Sequence, residues 1–259
     1  MSMPTVLYQT AEASRLTDYF ELTKPKIAVL VLVTVAVASF VAGWGPPAPL
    51  VLVHTLIGTA LVAASASALN HWLERDADAL MERTQDRPLP AGRLQSRQVL
   101  IFAALTIALG AGYLAWAVNP LTAVLGLATW FTYVALYTPL KSRTPANTAI
   151  GAVSGALPVL MGWASVGAPL DLTAFTLFLI VFLWQFPHFM AIAWIYRAQY
   201  ARAGMRMLSV VDQTGRRAGA QALLAALALV PVSLLPVVLS RASEVYFAWA
   251  LALGLGQLG

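Results

Sequence analysis

Long runs of apolar residues dominate the chain, and short polar segments separate them. A helix needs about 20 apolar residues to cross the hydrocarbon core of a bilayer. Eight runs approach or exceed that length: residues 27–43, 50–69, 99–118, 121–140, 146–166, 172–195, 219–240 and 245–258. The pattern predicts an all-α fold, a polytopic transmembrane helical bundle with about eight spans.

The composition agrees with this prediction and excludes a soluble globular domain. Apolar residues make up 59% of the 259 residues, only 10% are charged, and the mean hydropathy is +0.75. No linker divides the spans, so we expect a single membrane domain over residues 1–259. The absence of cysteine excludes a disulfide framework and a thiolate metal site. Residues 1–26 lack the apolar core of a signal peptide, so the first span is predicted to stay uncleaved.

Basic residues concentrate in every second loop. Of the 16 Lys and Arg residues, all except Arg241 lie before the first span or between spans two and three, four and five, or six and seven. The alternate loops GWGPPAP, VNP and VGAPLD contain none. Basic loops stay in the cytoplasm, so the N-terminus is predicted to be cytoplasmic. The net charge of +5 therefore reflects topology, and no nucleic-acid partner is expected.

Acidic residues concentrate after the second predicted span. The segment NHWLERDADALMERTQDRPLP, residues 70–90, contains five of the 11 acidic residues. On a helix Asn70, Glu74 and Asp78 fall within about 80° of arc, and Glu82 would rejoin this face if the helix continued. Two carboxylates and an amide oxygen are ligands that Mg²⁺ accepts while it shares its other positions with phosphates.

Arginines that can bind phosphate oxygens accompany these acids. They are Arg75, Arg83, Arg87 and Arg93. Acids, a metal and arginines at a membrane boundary suggest a diphosphate site. The alternative is a solvated loop in which the acids pair with the arginines at helical spacing.

A second polar segment, WQFPHFMAIAWIYRAQYARAGMRMLSVVD, begins at Trp184 between spans six and seven. His188 follows Pro187 inside an apolar span, where proline frees a carbonyl and kinks the helix. A lone histidine such as His54, His71 or His188 is more often a hydrogen-bonded bundle residue than a functional one. The segment also contains Arg197, Arg202 and Arg206, which suit either phosphate binding or retention of the loop in the cytoplasm.

The motif NHWLERDAD resembles the Asn-x-x-x-Asp-x-x-x-Asp signature of the UbiA superfamily of intramembrane prenyltransferases, with Glu74 in place of the first aspartate. Within that superfamily the chain is similar to the protohaem IX farnesyltransferases from about Tyr19 to Val211. Five blocks carry the similarity: LTKPKI (22–27), DADALMERTQDRPLPAGR (76–93), YTPLKSRTPANTAIGAVSGALPVLMGW (137–163), WQFPHFMAIAW (184–194) and YARAGMRMLSVV (200–211).

The resemblance implies a nine-helix bundle around a cavity that opens to the membrane, with Mg²⁺ and farnesyl diphosphate at its cytoplasmic end. Catalysis and metal binding would fall to Asn70, Glu74 and Asp78. The residues implied for substrate binding are Lys24, Arg83, Arg87, Lys141, Arg143, His188, Arg197, Gln199 and Arg202. A haem pocket would be lined by His188 with Trp184, Phe186 and Phe189.

The implied reaction transfers a farnesyl group from farnesyl diphosphate to the 2-vinyl group of haem B and adds water, which gives haem O for haem–copper oxidase biogenesis. The partners would be farnesyl diphosphate, haem B and the lipid bilayer, with haem A synthase or oxidase assembly factors as further candidates. The protein would be a multi-pass protein of the bacterial inner membrane, with its active site toward the cytoplasm.

Two features depart from the family pattern. Members usually have an Arg-Glu-Asp-Tyr-like run after span six, whereas this chain reads Arg197-Ala198-Gln199-Tyr200, without either acid. The chain also ends in its eighth predicted span, so we expect a C-terminal truncation relative to the nine-helix family.

Three other functions stay open at this point. An aromatic, quinone-precursor prenyltransferase of the same superfamily would share the acidic motif but should lack the WQFPHF block. A secondary transporter would use charges at the membrane midplane and related halves, and the sequence has neither feature. A non-catalytic haem-binding assembly protein would fit the missing second acidic motif. A turnover assay with farnesyl diphosphate and haem B separates this last case from an enzyme.

Overall fold

The computed structural model describes residues 15–239 and 242–257, and these residues form helices and connecting loops with no β-strand. A π-helix, Thr132–Tyr137, directly follows α5. The α-helices are α1 (Arg15–Leu22), α2 (Pro25–Ala42), α3 (Pro49–Asp78), α4 (Ser96–Ala117), α5 (Pro120–Phe131), α6 (Thr138–Leu140), α7 (Asn147–Ser165), α8 (Leu172–Ile195), α9 (Arg197–Arg202), α10 (Leu208–Val211), α11 (Arg216–Val238) and α12 (Glu244–Gly256).

Seven helical segments in the described residues are long and apolar enough to cross a membrane. They are α2, α3, α4, the continuous segment from α5 to α6, α7, α8 and α11, which match seven of the predicted runs. The eighth run forms α12, whose 13 residues extend about 20 Å, less than the roughly 30 Å hydrocarbon core. Two predictions concern residues outside the described ranges. They are the exception at Arg241 in the pattern of basic loops, and residues 1–14 of the N-terminal segment that is predicted to lack a signal peptide.

Proline and short polar side chains mark where several helices begin. Proline is the first residue of α2, α3 and α5, a position where its missing N–H has no partner to lose. Asn119 caps α5 by accepting the backbone N–H of Thr122 at 2.8 Å. Asp171 caps α8 by accepting the N–H of Ala174 at 3.0 Å. The local sequence therefore sets these helix starts.

Close packing fills the half of the bundle that is remote from the basic loops. At Gly162 of α7 an added Cβ atom would lie 2.2 Å from the carbonyl oxygen of Val35 on α2, so only glycine fits. The Ser39 hydroxyl donates to the Gly162 carbonyl at 3.0 Å. We call this half the closed end; its buried core includes Val35, Val62, Leu114, Leu125, Met161 and Trp163.

The basic loops meet at the opposite end of the bundle, which we call the basic end. Arg202, the last residue of α9, pairs with Glu82 at 3.1 Å and joins α9 to the loop after α3. The backbone N–H of Arg206 donates to the carbonyl of Lys141 at 2.7 Å and joins the loops after α8 and α6. The segments predicted to share one side of the membrane are therefore neighbours in the structure.

Candidate active site

A cavity of about 540 Å³ runs from the basic end toward the closed end. Its wall is formed by α2, α3, the segment from α5 to α6, α7 and α8. Charged side chains gather at the basic end of this wall: Lys24, Glu74, Asp78, Arg83, Arg87 and Lys141. A cavity with one charged end and a long apolar remainder suits a ligand with a charged head and an apolar tail.

Three polar side chains of α3 share one helix face at the basic end, and two of them, Glu74 and Asp78, line the cavity. Asn70, Glu74 and Asp78 are 0%, 8% and 1% exposed, so the acidic motif is buried and not a solvated loop. A buried carboxylate is costly unless a cation compensates it. Each of the three side chains contacts a basic side chain from another segment.

Lys24 is the residue directly before α2, and its side chain reaches this face of α3. Its backbone is left-handed, with φ 49°, and its Nζ donates to Asn70 Oδ1. The pKa of Lys24 is lowered to about 7, mainly by burial and secondly by repulsion from Arg87. Lys24 is therefore a cation whose charge depends strongly on what binds beside it.

Lys141 follows α6 and reaches the same face from the other side. Its Nζ lies 2.7 Å from Glu74 Oε1 and 4.6 Å from the centroid of the Tyr137 ring. Burial by itself would lower the pKa of Lys141, but the Glu74 carboxylate and neighbouring tyrosines outweigh it, so the pKa is raised. Lys141 stays charged at physiological pH.

The loop after α3 brings Arg87 back to the helix that it leaves. The Thr84 hydroxyl donates to the Asp78 carbonyl at 2.9 Å, and Arg87 Nη1 lies 2.7 Å from Asp78 Oδ2. Because α3 ends at Asp78, the helix does not continue, and the condition under which Glu82 would rejoin its acidic face is not met. Glu82 lies in the loop and pairs with Arg202 at the surface.

Arg93 fixes this loop against α1. Its Nε lies 2.6 Å from the buried Asp18 carboxylate and its Nη2 lies 2.9 Å from Glu21, while its Nη1 donates to the Asp86 carbonyl at 2.7 Å. The sequence places Arg93 among the arginines that can bind phosphate, but all of these contacts lie outside the cavity wall. Its effect on the site is indirect, because it holds the residue that precedes Arg87.

Of the two remaining arginines of the acidic segment, one lines the cavity and the other lies outside it. Arg83 lines the cavity, and its guanidinium lies 4.9 Å from the centroid of the Tyr196 ring. Arg75 lies 5.3 Å from the Trp72 ring and pairs at 3.5 Å with the exposed Asp76. Only Arg83 and Arg87, of the four predicted arginines, line the cavity.

The oxygen atoms of this α3 face fit a divalent cation. Asp78 Oδ1 is buried and has no hydrogen-bond partner, so an oxygen beside the cavity is available to a ligand. Among the described residues no group of three His, Cys, Asp or Glu side chains could hold a metal alone. Mg²⁺ typically uses one or two carboxylates and completes its shell with water and substrate phosphate. Asn70, Glu74 and Asp78 match that donor set.

The π-helix places two tyrosines in the cavity wall near the carboxylates. The Thr138 hydroxyl donates to the Tyr133 carbonyl at 2.8 Å and accepts the Asn70 Nδ2 at 3.1 Å, which ties the π-helix to α3. The rings of Tyr133 and Tyr137 lie 5.5 Å apart. Tyr133 was not predicted, although two tyrosines at four-residue spacing within an apolar run were a usable signal.

The α8 wall contains the predicted haem-pocket residues Trp184, His188 and Phe189. His188 is exposed at the side of the bundle and stacks on Trp184, with ring centroids 5.0 Å apart and planes at 14°. Phe186 does not belong to this wall: it is buried and packs against Phe182 at 5.1 Å between centroids.

Gln185 also lines the cavity and was not predicted. Its Nε2 donates to the Ala152 carbonyl at 2.9 Å. A Cβ atom at Gly155 would lie 2.0 Å from Gln185 Oε1, so the glycine on α7 makes room for this amide. A glutamine inside an apolar span was the signal available in the sequence.

The sequence matches the UbiA prenyltransferase family over residues 31–259. The chain belongs to this family. Similar relatives named protoheme IX farnesyltransferase include one from Solibacter usitatus, 44% identical over 251 residues that cover 92% of this chain and 85% of the relative. Another, from Myxococcus xanthus, is 43% identical over 260 residues that cover 100% of this chain and 84% of the relative.

Solved structures share the UbiA fold. A UbiA homolog from Archaeoglobus fulgidus bound to DMAPP and Mg²⁺ aligns with a TM-score of 0.77 at 19% identity, over 93% of this chain and 85% of that chain. The apo structure of a UbiA homolog from Aeropyrum pernix K1 aligns with a TM-score of 0.74 at 16% identity, over 89% and 85%. At these identities the likeness establishes the fold alone.

In this UbiA prenyltransferase, several predicted substrate-binding residues do not line the cavity. Arg143, Arg197 and Arg202 are exposed, and Arg197 lies 4.5 Å from the Trp194 ring. Gln199 also lies outside the cavity wall, but its Oε1 is buried without a hydrogen-bond partner. In place of the second acidic motif, the chain therefore has a half-buried glutamine with one unsatisfied oxygen.

Proposed function

We propose that the chain transfers a farnesyl group from farnesyl diphosphate to the 2-vinyl group of haem B, producing haem O. The observation that carries this proposal is the charged end of an otherwise largely apolar cavity. There, four basic side chains surround two buried carboxylates in a chain that is over 40% identical to protoheme IX farnesyltransferases.

The charges support binding of a diphosphate. Lys24, Arg83, Arg87 and Lys141 exceed Glu74 and Asp78 in charge, so an anion is favoured at this end of the cavity. Lys141 and Arg87 are already oriented by the carboxylates, which reduces the ordering needed when phosphate oxygens replace those partners.

Mg²⁺ would be held by Asp78 and Glu74 with Asn70, and when bound it would supply positive charge to the departing diphosphate. In the reaction the C1–O bond of the farnesyl diphosphate breaks, and both electrons leave with the diphosphate. Arg83, Arg87, Lys24 and Lys141 stabilise that negative charge. The apolar wall keeps water from the allylic cation until the acceptor is in place.

The acceptor is proposed to lie at the side of the bundle, between α2 and α8. The vinyl carbon forms a bond to C1, and water then adds to the resulting cation and loses a proton, which gives the hydroxyethylfarnesyl group. Trp184, His188 and Phe189 provide flat aromatic surfaces at this position, and these surfaces suit a porphyrin.

The membrane orientation is also a proposal. The basic end is assigned to the cytoplasm of a bacterial inner membrane, because nearly all Lys and Arg residues lie in its loops. Reporters fused after Arg93 or Arg206 should then report the cytoplasm, and fusions after Pro47 or Ala168 the outer side. Haem A synthase or oxidase assembly factors are the candidate recipients of the product.

The function is tested with purified protein, farnesyl diphosphate, haem B and Mg²⁺, with products identified by mass. Haem O is expected from the wild type and from Asp76→Asn, a matched change at an exposed carboxylate of the same helix. Asp78→Asn should give almost none. Prenylation of an aromatic acid, or haem binding without product, would instead favour the aromatic prenyltransferase or the assembly protein.

A further inference from the structure

On each of the five helical segments that form most of its wall, the cavity lining stops before the closed end. The residues nearest the closed end that still line it are Thr34, Thr59, Thr129, Met161 and Val181. Beyond them lies the buried core of the closed end, including Leu114, Leu125 and Trp163. These five residues form the floor of the cavity toward the closed end.

The depth of the cavity can be compared with a prenyl chain. Glu74 at the basic end and Thr59 at the floor are 15 residues apart on α3, which corresponds to about 22 Å along the helix. An isoprene unit adds four chain bonds, one of them a double bond, or roughly 5 Å when extended. Three units and a diphosphate therefore fill the depth, and a fourth unit would meet the floor.

Met161 is the largest side chain of the floor, and neighbouring residues hold it in place. It is 1% exposed, and its Sδ lies 3.7 Å from the Thr129 hydroxyl. From α5, an added Cβ at Gly126 would lie 3.2 Å from Met161 Cε and 3.3 Å from Leu114 Cδ1. The glycine therefore gives the methionine its position, and a larger residue there would push Met161 toward the cavity.

We propose that Met161, seated against Gly126, sets the maximum length of the prenyl chain and selects three isoprene units over four. This inference rests on the proposed function, because it assumes a prenyl diphosphate with its head at the basic end. Met161→Ala removes the Cγ, Sδ and Cε atoms from the floor and should admit a longer chain. Gly126→Ala should shorten the cavity.

The test measures binding of geranyl, farnesyl and geranylgeranyl diphosphate to the purified full chain with Mg²⁺, by competition, together with product masses. Met161→Ala should improve geranylgeranyl binding relative to farnesyl by about tenfold. Gly126→Ala should shift preference several-fold from farnesyl toward geranyl. Met190→Ala is the control, because Met190 is also buried but packs against Leu208 and Ala218, away from the cavity wall.

The outcomes separate the two proposals. If the binding preferences shift as expected but no variant prenylates haem, the length assignment holds and the proposed acceptor is wrong. If haem O forms but Met161→Ala leaves the preference unchanged, or the wild type binds geranylgeranyl diphosphate as tightly as farnesyl, the assignment of Met161 is overturned. If Met161→Ala does not fold, Met161→Val and Gly126→Ala decide in the same way.

Discussion

The two ends of the cavity differ in how they can select a ligand. At the basic end, buried carboxylates and cations come from segments far apart in the chain, and each charge depends on its partner. At the closed end, the Thr129 hydroxyl donates to its own helix at Leu125, and apolar volume sets the surface. Charge therefore recognises the head of the ligand, and shape recognises its tail. Substitutions at the two ends should therefore differ in their effects on activity and stability.

The largest effect is expected from Asp78→Asn at the basic end. It removes one of two carboxylates and leaves Arg87 without its charged partner. We expect turnover to fall by about 1000-fold, as for loss of a central electrostatic group, while the protein stays inserted. Product formation is measured by mass beside Asp76→Asn. Activity near the wild-type level would remove Asp78 from the metal site.

Glu74→Asp should be tolerated better than Asp78→Asn, since it keeps the negative charge.

Lys141→Met should separate stability from catalysis. It leaves the buried Glu74 carboxylate without its ion-pair partner, which costs about 3 kcal/mol in unfolding free energy. The double variant Glu74→Gln/Lys141→Met removes both charges and should recover most of the lost stability without activity. Thermal unfolding in detergent measures both. Equal Tm values for the single and double variants would show that this pair is not coupled.

Arg93→Gln tests whether the basic end depends on its support outside the cavity. Without contacts to Asp18 and the Asp86 carbonyl, Arg87 should lose its position, and kcat/KM should fall about 30-fold. The KM for farnesyl diphosphate should rise while that for haem stays constant, which a general loss of folded protein would not produce. Arg97→Gln, an exposed change nearby, is the control. An equal loss in both variants would contradict a positioning role.

Gln199→Asp asks whether the basic end can use a further carboxylate. Because Gln199 Oε1 is buried and unsatisfied, a charge there should lower the Mg²⁺ concentration for half-maximal activity by about tenfold. The product should not change. Mg²⁺ titrations of the wild type, Gln199→Asp and Gln199→Ala provide the comparison. Three superimposable curves would mean that no second acidic site exists in this chain.

The smallest effect is expected from Thr59→Val at the floor. The Thr59 hydroxyl is buried without a hydrogen-bond partner, so its removal should change the unfolding free energy by less than about 0.5 kcal/mol or raise it. The Tm of this variant is compared with that of Thr55→Val, whose hydroxyl donates to the Val51 carbonyl at 2.7 Å. A larger loss for Thr59→Val would reveal a polar partner at the closed end.

Much of this molecule could be predicted from local pattern. Seven spans followed from apolar runs, and the shared face of Asn70, Glu74 and Asp78 followed from the helical period. The end of α3 at Asp78 could not be predicted, because the contacts that follow it, such as the Thr84 hydroxyl on the Asp78 carbonyl, form only when the loop folds back. Arg83 and Arg93 likewise have the same chemistry in sequence and opposite placements in space.

By itself, the sequence determined the membrane class, the helix starts at Pro25, Pro49 and Pro120, and which α3 side chains share a face. The membrane class depends on apolar runs of about 20 residues. The helix starts and the shared α3 face depend on residues within about two helical turns of each other. The tertiary structure alone decided that Lys24 reaches Asn70, that Lys141 reaches Glu74, and that Met161 lies at the floor. Such contacts depend on how each helix is rotated and packed against the others, and that depends on the whole core.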